Sequence, residues 1–129
     1  MPYVQVRFAA PDLLPATERV IAEQATNLMA EVMGKRAEVT VIEIVRCDPA
    51  RWFAAGRPVA GPAAYADIKI TRGTNTEAQK AALLADFYTM LGRALGPLAA
   101  PNYVVIHEVA GTDWGYDGLP QAGRKRSAL

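Results

Sequence analysis

Pro2 directly follows Met1. A small residue such as proline at that position favours removal of the initiator methionine, so the expected amino terminus is a secondary amine. Terminal amines have a pKa of roughly 7.7–8.0, and withdrawal from water favours the neutral form and lowers that value. An amine that is neutral at physiological pH can take up a proton from a reacting group. No other reactive side chain has partners at useful spacing. His107 is the single histidine and lies between Ile106 and Glu108, with no second His or Cys at ligand spacing, so no metal site is expected and a hydrogen bond to a neighbour is. Cys47 is the single cysteine; it excludes an internal disulfide, suits a reducing, cytoplasmic setting and lacks a partner for nucleophilic chemistry. Thr71-Arg72-Gly73-Thr74 has one glycine and no lysine of the phosphate-loop kind.

The elements that would position Pro2 are written twice. Displaced by 62 residues, the sequence lies over itself without a gap: Pro2 over Ala64, Phe8 over Ile70, Gly34 over Gly96, Ile44 over Ile106, Trp52 over Trp114 and Gly56 over Gly118. Matching Trp and Gly at one constant offset marks a fused duplication, with halves at about 2–61 and 64–123. Each half opens on a strand: Val4, Val6 and Phe8 alternate with Tyr3, Gln5 and Arg7, as Ala66, Ile68 and Ile70 do with Tyr65, Asp67 and Lys69. A helix follows. In the first copy Pro15 stands near its start, Ile21, Ala25, Leu28 and Val32 form the stripe, and Gly34 ends it. In the second copy Thr76 and Gln79 make a capping box, Leu84, Phe87, Tyr88, Leu91 and Leu95 recur at helical spacing, and Gly96-Pro97 ends the run. The β-branched stretches 39–46 and 102–109 are the second strands, and 56–62 connects the copies.

Strand, helix and strand with about thirty residues of crossover make a right-handed βαβ unit with parallel strands. Two fused units predict an α+β fold: a four-stranded sheet with two helices on one face, in a single domain spanning residues 1–129. The other face, with Tyr65, Val105 and Val109 or their neighbours, would be left partly exposed, which predicts packing against other subunits. The formal net charge of +1 gives no electrostatic case for nucleic acid, and the one basic run, Arg124-Lys125-Arg126, lacks an accompanying aromatic and reads as a solvated tail. No apolar stretch approaches the ~20 residues of a membrane span, and the first residues lack signal-peptide anatomy.

Together the Met-Pro start, the βαβ unit and the Trp-Gly turn before a small glycine-rich hairpin resemble the tautomerase superfamily, whose small members are similar to 4-oxalocrotonate tautomerase. The closest stretches are Ile68-Lys69-Ile70-Thr71-Arg72-Gly73-Thr74-Asn75-Thr76, Val104-Val105-Ile106-His107-Glu108-Val109 and Trp114-Gly115. The double length resembles the fused members, which assemble as homotrimers mimicking a hexamer of the short form. The resemblance implies a cofactor-free enzyme in which Pro2 is the general base for a 1,3- or 1,5-proton shift in a small acidic enol or 2-oxo acid. Ala64 lies over Pro2, but its nitrogen is an in-chain amide and cannot act as a base, so one working site per chain is expected.

The rest of the implied site is altered from the family pattern. Family substrates carry carboxylates, for which the planar fork of arginine is suited. One family arginine aligns with Thr74, and Arg72 in the same turn either replaces it or is a solvated turn charge. A second aligns with Tyr103, and the resemblance implies Arg72, with Tyr103, as binders of the acidic enol. Trp114 matches the aromatic residue that lines the proline pocket, though core packing is an equally ready explanation. Trp52 is its structural counterpart. Asp113 resembles a water-activating acid of the cis-3-chloroacrylic acid dehalogenase branch, but that branch's arginine pair falls on Thr71 and Thr74 and its histidine on Met29, so Asp113 reads more simply as a turn residue. Tautomerisation is the leading expectation. Hydration, dehalogenation or decarboxylation of a small unsaturated or 3-oxo acid, with a protonated Pro2 as acid, is an alternative; a catalytically inactive trimeric binding protein is another.

Overall fold

A computed structural model describes residues 2–11, 13–99 and 101–123. Strand β1 (Tyr3–Ala9) leads into helix α1 (Pro15–Glu31), a short 3-10 turn (Ala37–Val39) and strand β2 (Val41–Arg46). The second copy repeats this as β5 (Ala63–Thr71), α2 (Glu77–Leu95) and β6 (Tyr103–Val109). Each half closes on a small hairpin: β3 (Phe53–Ala54) with β4 (Arg57–Pro58), and β7 (Gly115–Tyr116) with β8 (Leu119–Pro120). These hairpins stand 62 residues apart at every position, as the duplication predicts. Each turns on two residues with positive φ, Ala55 (53°) then Gly56 (75°), and Asp117 (52°) then Gly118 (83°). Such a pair matches the twist of a tight hairpin, and glycine takes the second position without steric cost.

The four-stranded sheet has the order β2-β1-β5-β6. Within each copy the strands are parallel, whereas β1 and β5 meet antiparallel at the centre, with Gln5 opposite Asp67. An approximate two-fold axis therefore passes between them, and the start of one copy lies at the opposite end of the sheet from the start of the other. The alternation read from the sequence is the burial pattern. Val4, Val6, Phe8, Ala66, Ile68 and Ile70 are fully covered beneath the helices. The opposite face carries Tyr3, Val41 and Tyr103, which are 37%, 50% and 62% exposed, together with the partly covered Tyr65, Val105 and Val109.

Both helices start where their signals stand. Pro15 occupies the first turn of α1, where its missing N–H costs no helical bond. In α2 the Thr76 hydroxyl accepts from the Gln79 N–H at 3.1 Å while the Gln79 side chain accepts from the Thr76 N–H at 2.9 Å. Four expectations are corrected. The second strand of the first copy begins at Val41, because 37–39 wind into a 3-10 turn. Residue 102 lies outside β6, its side chain engaged in a cap described below. The buried stripe of α2 is Leu83, Phe87, Met90, Leu91 and Leu95, whereas Leu84 and Tyr88 are 38% and 48% exposed. Two stripes share Phe87, Leu91 and Leu95; packing against α1 selects the one containing Met90. The connector 56–62 is in part strand, since Arg57–Pro58 pairs back on Phe53–Ala54.

Candidate active site

Pro2 is fully buried at the start of β1, and its carbonyl accepts from the Val41 N–H at 3.3 Å. It thus sits one residue before Tyr3, which pairs with Val41 on one side and Lys69 on the other. The antiparallel centre brings the exit of β5 to this same end of the sheet, and with it the turn from Thr71 to Thr76. A chain of hydrogen bonds organises that turn. The Trp114 indole N–H donates to Thr71 Oγ1 at 3.3 Å, Thr74 Oγ1 donates to the Thr71 carbonyl at 2.6 Å, and Lys35 Nζ donates to Thr74 Oγ1 at 2.8 Å. The Asn75 side chain adds a bond to the Met33 carbonyl at 2.9 Å, tying the end of α1 to the start of α2.

Lys35 is the residue that sequence reasoning missed. It comes from the loop entering β2 and reaches a turn leaving β5, so its side chain spans the end of β1, which lies between those strands. Half-buried there, its ammonium is pushed below the ordinary lysine pKa by desolvation. The sequence held one signal: Lys35 follows the helix-ending Gly34, while Pro97 follows the matching Gly96. The two loops therefore differ by a cation.

At the Pro2 end a cleft of about 700 Å³ opens on the uncovered sheet face, lined by Tyr3, Val41, Lys69, Trp114 and the acidic Glu38 and Asp117 among others, with Pro2 and Lys35 outside its lining. Its two best-fixed rings are held by their polar tips, Tyr3 by donating to Glu43 Oε1 at 2.6 Å and Trp114 by the bond to Thr71. The hydrogen bond to Glu43 raises the Tyr3 phenol above its ordinary pKa and lowers the Glu43 carboxyl. Lys69 is engaged with Asp67 at 3.1 Å, which also faces His107 Nε2 at 3.1 Å. Burial alone would raise Asp67; the Lys69 hydrogen bond and the His107 charge outweigh it and leave the carboxyl below its ordinary range.

The remaining sequence candidates are distributed unevenly. Thr74 and Trp114 join Pro2 at one end. Arg72 is at that end too, but its charge acts on Glu108, whose carboxyl is lowered first by the Lys80 hydrogen bond. Tyr103 lies at the other end, in register with Tyr65 and Arg7, about 13 Å along the strand from the row of Tyr3, Lys69 and His107. Asp113 is exposed, accepts from the Thr112 hydroxyl at 2.9 Å, and does not line the cleft. Met29 is buried in the core. Cys47 is partly buried and unbridged. Arg124, Lys125, Arg126 and Met1 lie outside the described residues. Among the described residues no three His, Cys, Asp or Glu side chains gather as metal ligands, and no helix is long and apolar enough to cross a membrane.

No protein-family model and no curated protein sequence matches the chain. Solved structures match it closely in three dimensions. A wild-type fused 4-OT, a symmetric trimer, superposes with a TM-score of 0.84 at 19% identity, over 95% of this chain and 98% of that one. The chain has the tautomerase fold in its fused form. The same fold relates it to Pt0534 inactivated by 2-oxo-3-pentynoate, with a TM-score of 0.84 at 15% identity over 95% of this chain and 98% of that one. A macrophage migration inhibitory factor-like protein from Entamoeba histolytica superposes at 0.75 and 23% identity, over 90% and 95% of the two chains. At these identities the shared property is the fold; in this chain the start of β1 and the second hairpin line the same cleft.

Proposed function

We propose that the protein is a cofactor-free tautomerase in which Pro2, as the amino terminus, is the general base. The observation that carries this reading is the location of Pro2: fully buried at the one sheet end where Lys35, Thr74, Thr71 and Trp114 form a connected network. Burial favours the neutral amine, the form that accepts a proton. In the proposed reaction the Pro2 nitrogen removes the enol hydroxyl proton of the substrate as the carbonyl forms, and the same proton, or its equivalent, is delivered to carbon. The net change is a 1,3- or 1,5-proton shift with no change in oxidation state. Lys35 supplies the positive charge opposite the substrate carboxylate, in place of the arginine that aligns with Thr74, and Trp114 shields the reacting atoms from water. Inactivation of Pt0534 by a 2-oxo acid supports the same class of small acid as substrate.

Assembly belongs to the proposal. The chain forms one domain, and three copies associate through the uncovered sheet face, as fused 4-OT forms a trimer. The exposed Tyr103 and the partly covered Tyr65, Val105 and Val109 on that face support it, leaving the cleft lined by Tyr3 and Val41 at the margin of the contact. A neighbouring copy could bring its Tyr103 toward Pro2, which one chain does not do. Sedimentation is expected to show a trimer at micromolar concentration; a stable monomer would exclude it.

The deciding experiment is intact-mass spectrometry of the purified protein, with tautomerisation of phenylenolpyruvate and 2-hydroxymuconate followed on the same sample and on Pro2→Ala. Loss of the Met1 mass and a fall in rate of about 10²–10⁴-fold in the variant are expected. Retained Met1, or turnover indifferent to Pro2, would point instead to a binding protein on the same fold.

A further inference from the structure

Resting on that reading, we infer that the cleft at the Pro2 end selects a monocarboxylate with an aryl or apolar body over a dicarboxylate. The inference starts from its walls. Three aromatic rings, Tyr3, Trp114 and Tyr116, and two valines, Val39 and Val41, line a space of about 700 Å³, within the ordinary range for small-molecule sites. Tyr3 and Trp114 are fixed by hydrogen bonds at their polar tips. A ring anchored at its tip offers its face without a further loss of side-chain freedom, and a planar apolar group laid against it gains both burial and stacking.

Charge supply points the same way. A dicarboxylate requires a cation at each end of the molecule, or leaves one carboxylate desolvated without a partner. The Pro2 end offers Lys35, outside the cleft lining, whose ammonium is bonded to the Thr74 hydroxyl and, among its described contacts, to no carboxylate. The cation lining the cleft itself, Lys69, is engaged by Asp67 at 3.1 Å. Arg72 acts on Glu108. One carboxylate therefore finds an anchor at this end, and the remainder of the substrate meets rings, valines and the carboxylates of Glu38 and Asp117, which repel a second carboxylate.

Binding can be tested without turnover. Titration calorimetry with three unreactive acids, hydrocinnamate, hexanoate and adipate, should rank hydrocinnamate tightest, at least about tenfold above adipate. Trp114→Ala should weaken hydrocinnamate about tenfold and leave adipate little changed, and Trp114→Phe should retain most of the affinity. Tyr116→Leu should narrow the preference for hydrocinnamate over hexanoate, a readout that does not depend on Trp114 variants folding. Adipate binding as tightly as hydrocinnamate, or a preference unmoved by both Trp114→Ala and Tyr116→Leu, would overturn the inference. Failure of the catalytic reading looks different: hydrocinnamate would still be preferred, while phenylenolpyruvate turnover would be absent or unaffected in Pro2→Ala.

Discussion

The two ends of the central sheet correspond under the 62-residue offset, and they differ at the residue that begins each copy. At one end Pro2 begins the first copy; at the other Ala64 begins the second, 1% exposed, its backbone N–H donating to Asn102 Oδ1 at 2.9 Å. Asn102 in turn donates to the Ala99 carbonyl at 2.6 Å. The junction has thus been closed as ordinary structure, its amide satisfied as a buried amide must be. Where the second copy has Asn102, the first has Thr40, whose hydroxyl turns back to the Arg36 carbonyl at 2.7 Å. Lys35 and Thr71, which build the Pro2 end, are matched at the Ala64 end by Pro97 and Ala9, so that end has neither the cation nor the hydroxyl that receives a tryptophan. The same scaffold stands at both ends, and on the proposed reading only the Pro2 end can offer an amine.

The sharpest way to break this comparison is through the hairpins. A Cβ at Gly115 would lie 1.9 Å from the Leu119 carbonyl oxygen, whereas the matching residue of the first copy, Phe53, is 59% exposed. Gly115→Ala should therefore open the hairpin that follows Trp114 and lower kcat/KM by about a hundredfold, as misplacement by an ångström does elsewhere. Phe53→Ala should stay within about twofold of wild type. Equal losses in steady-state assays of the two variants would mean that the two hairpins are functionally alike.

Lys35→Ala should lower kcat/KM by about 10- to 100-fold, the worth of a hydrogen bond to a charged group, with most of the loss recovered by Lys35→Arg. The mirror substitution, Pro97→Lys, should change nothing, because no base stands at that end. Asn102→Ala leaves the Ala64 N–H without its partner and should cost about 1–3 kcal/mol in a denaturant titration, with turnover per folded molecule preserved. A smaller effect is expected from Glu108, whose carboxyl is lowered by Lys80. A carboxylate held below its unfolded pKa stabilises the fold above that value and ceases to do so as pH falls through the folded one. Melting temperatures of wild type and Glu108→Gln should therefore differ near neutrality and converge as the pH falls through the lowered folded pKa of Glu108.

Much of the fold is legible in the order of the residues. The strand alternation, the capping box at Thr76 and the constant offset each have a local physical cause, and the hairpins repeat at the predicted spacing. The orientation of α2 is not legible there, because Leu83 and Leu84 both fit a helical period and only the approach of α1 distinguishes them. Of the candidate site, Pro2, Thr74 and Trp114 are legible and meet at one end. Tyr103 cannot be placed by alignment, since the antiparallel joining of the copies sends the start of β6 away from the start of β1.

By itself the sequence determined two stretches of matching strand, helix and strand pattern at one constant offset, and the near-neutral charge that argues against a polyanionic partner. Tertiary structure alone decided that residues 35 and 74 would touch and that Trp114 would cap Thr71 across 43 residues of chain. The physical reason is that periodicity and capping act over a few residues, whereas a site is assembled where a sheet brings distant ends together. Here the antiparallel centre places the end of the second copy's first strand beside the beginning of the first copy's.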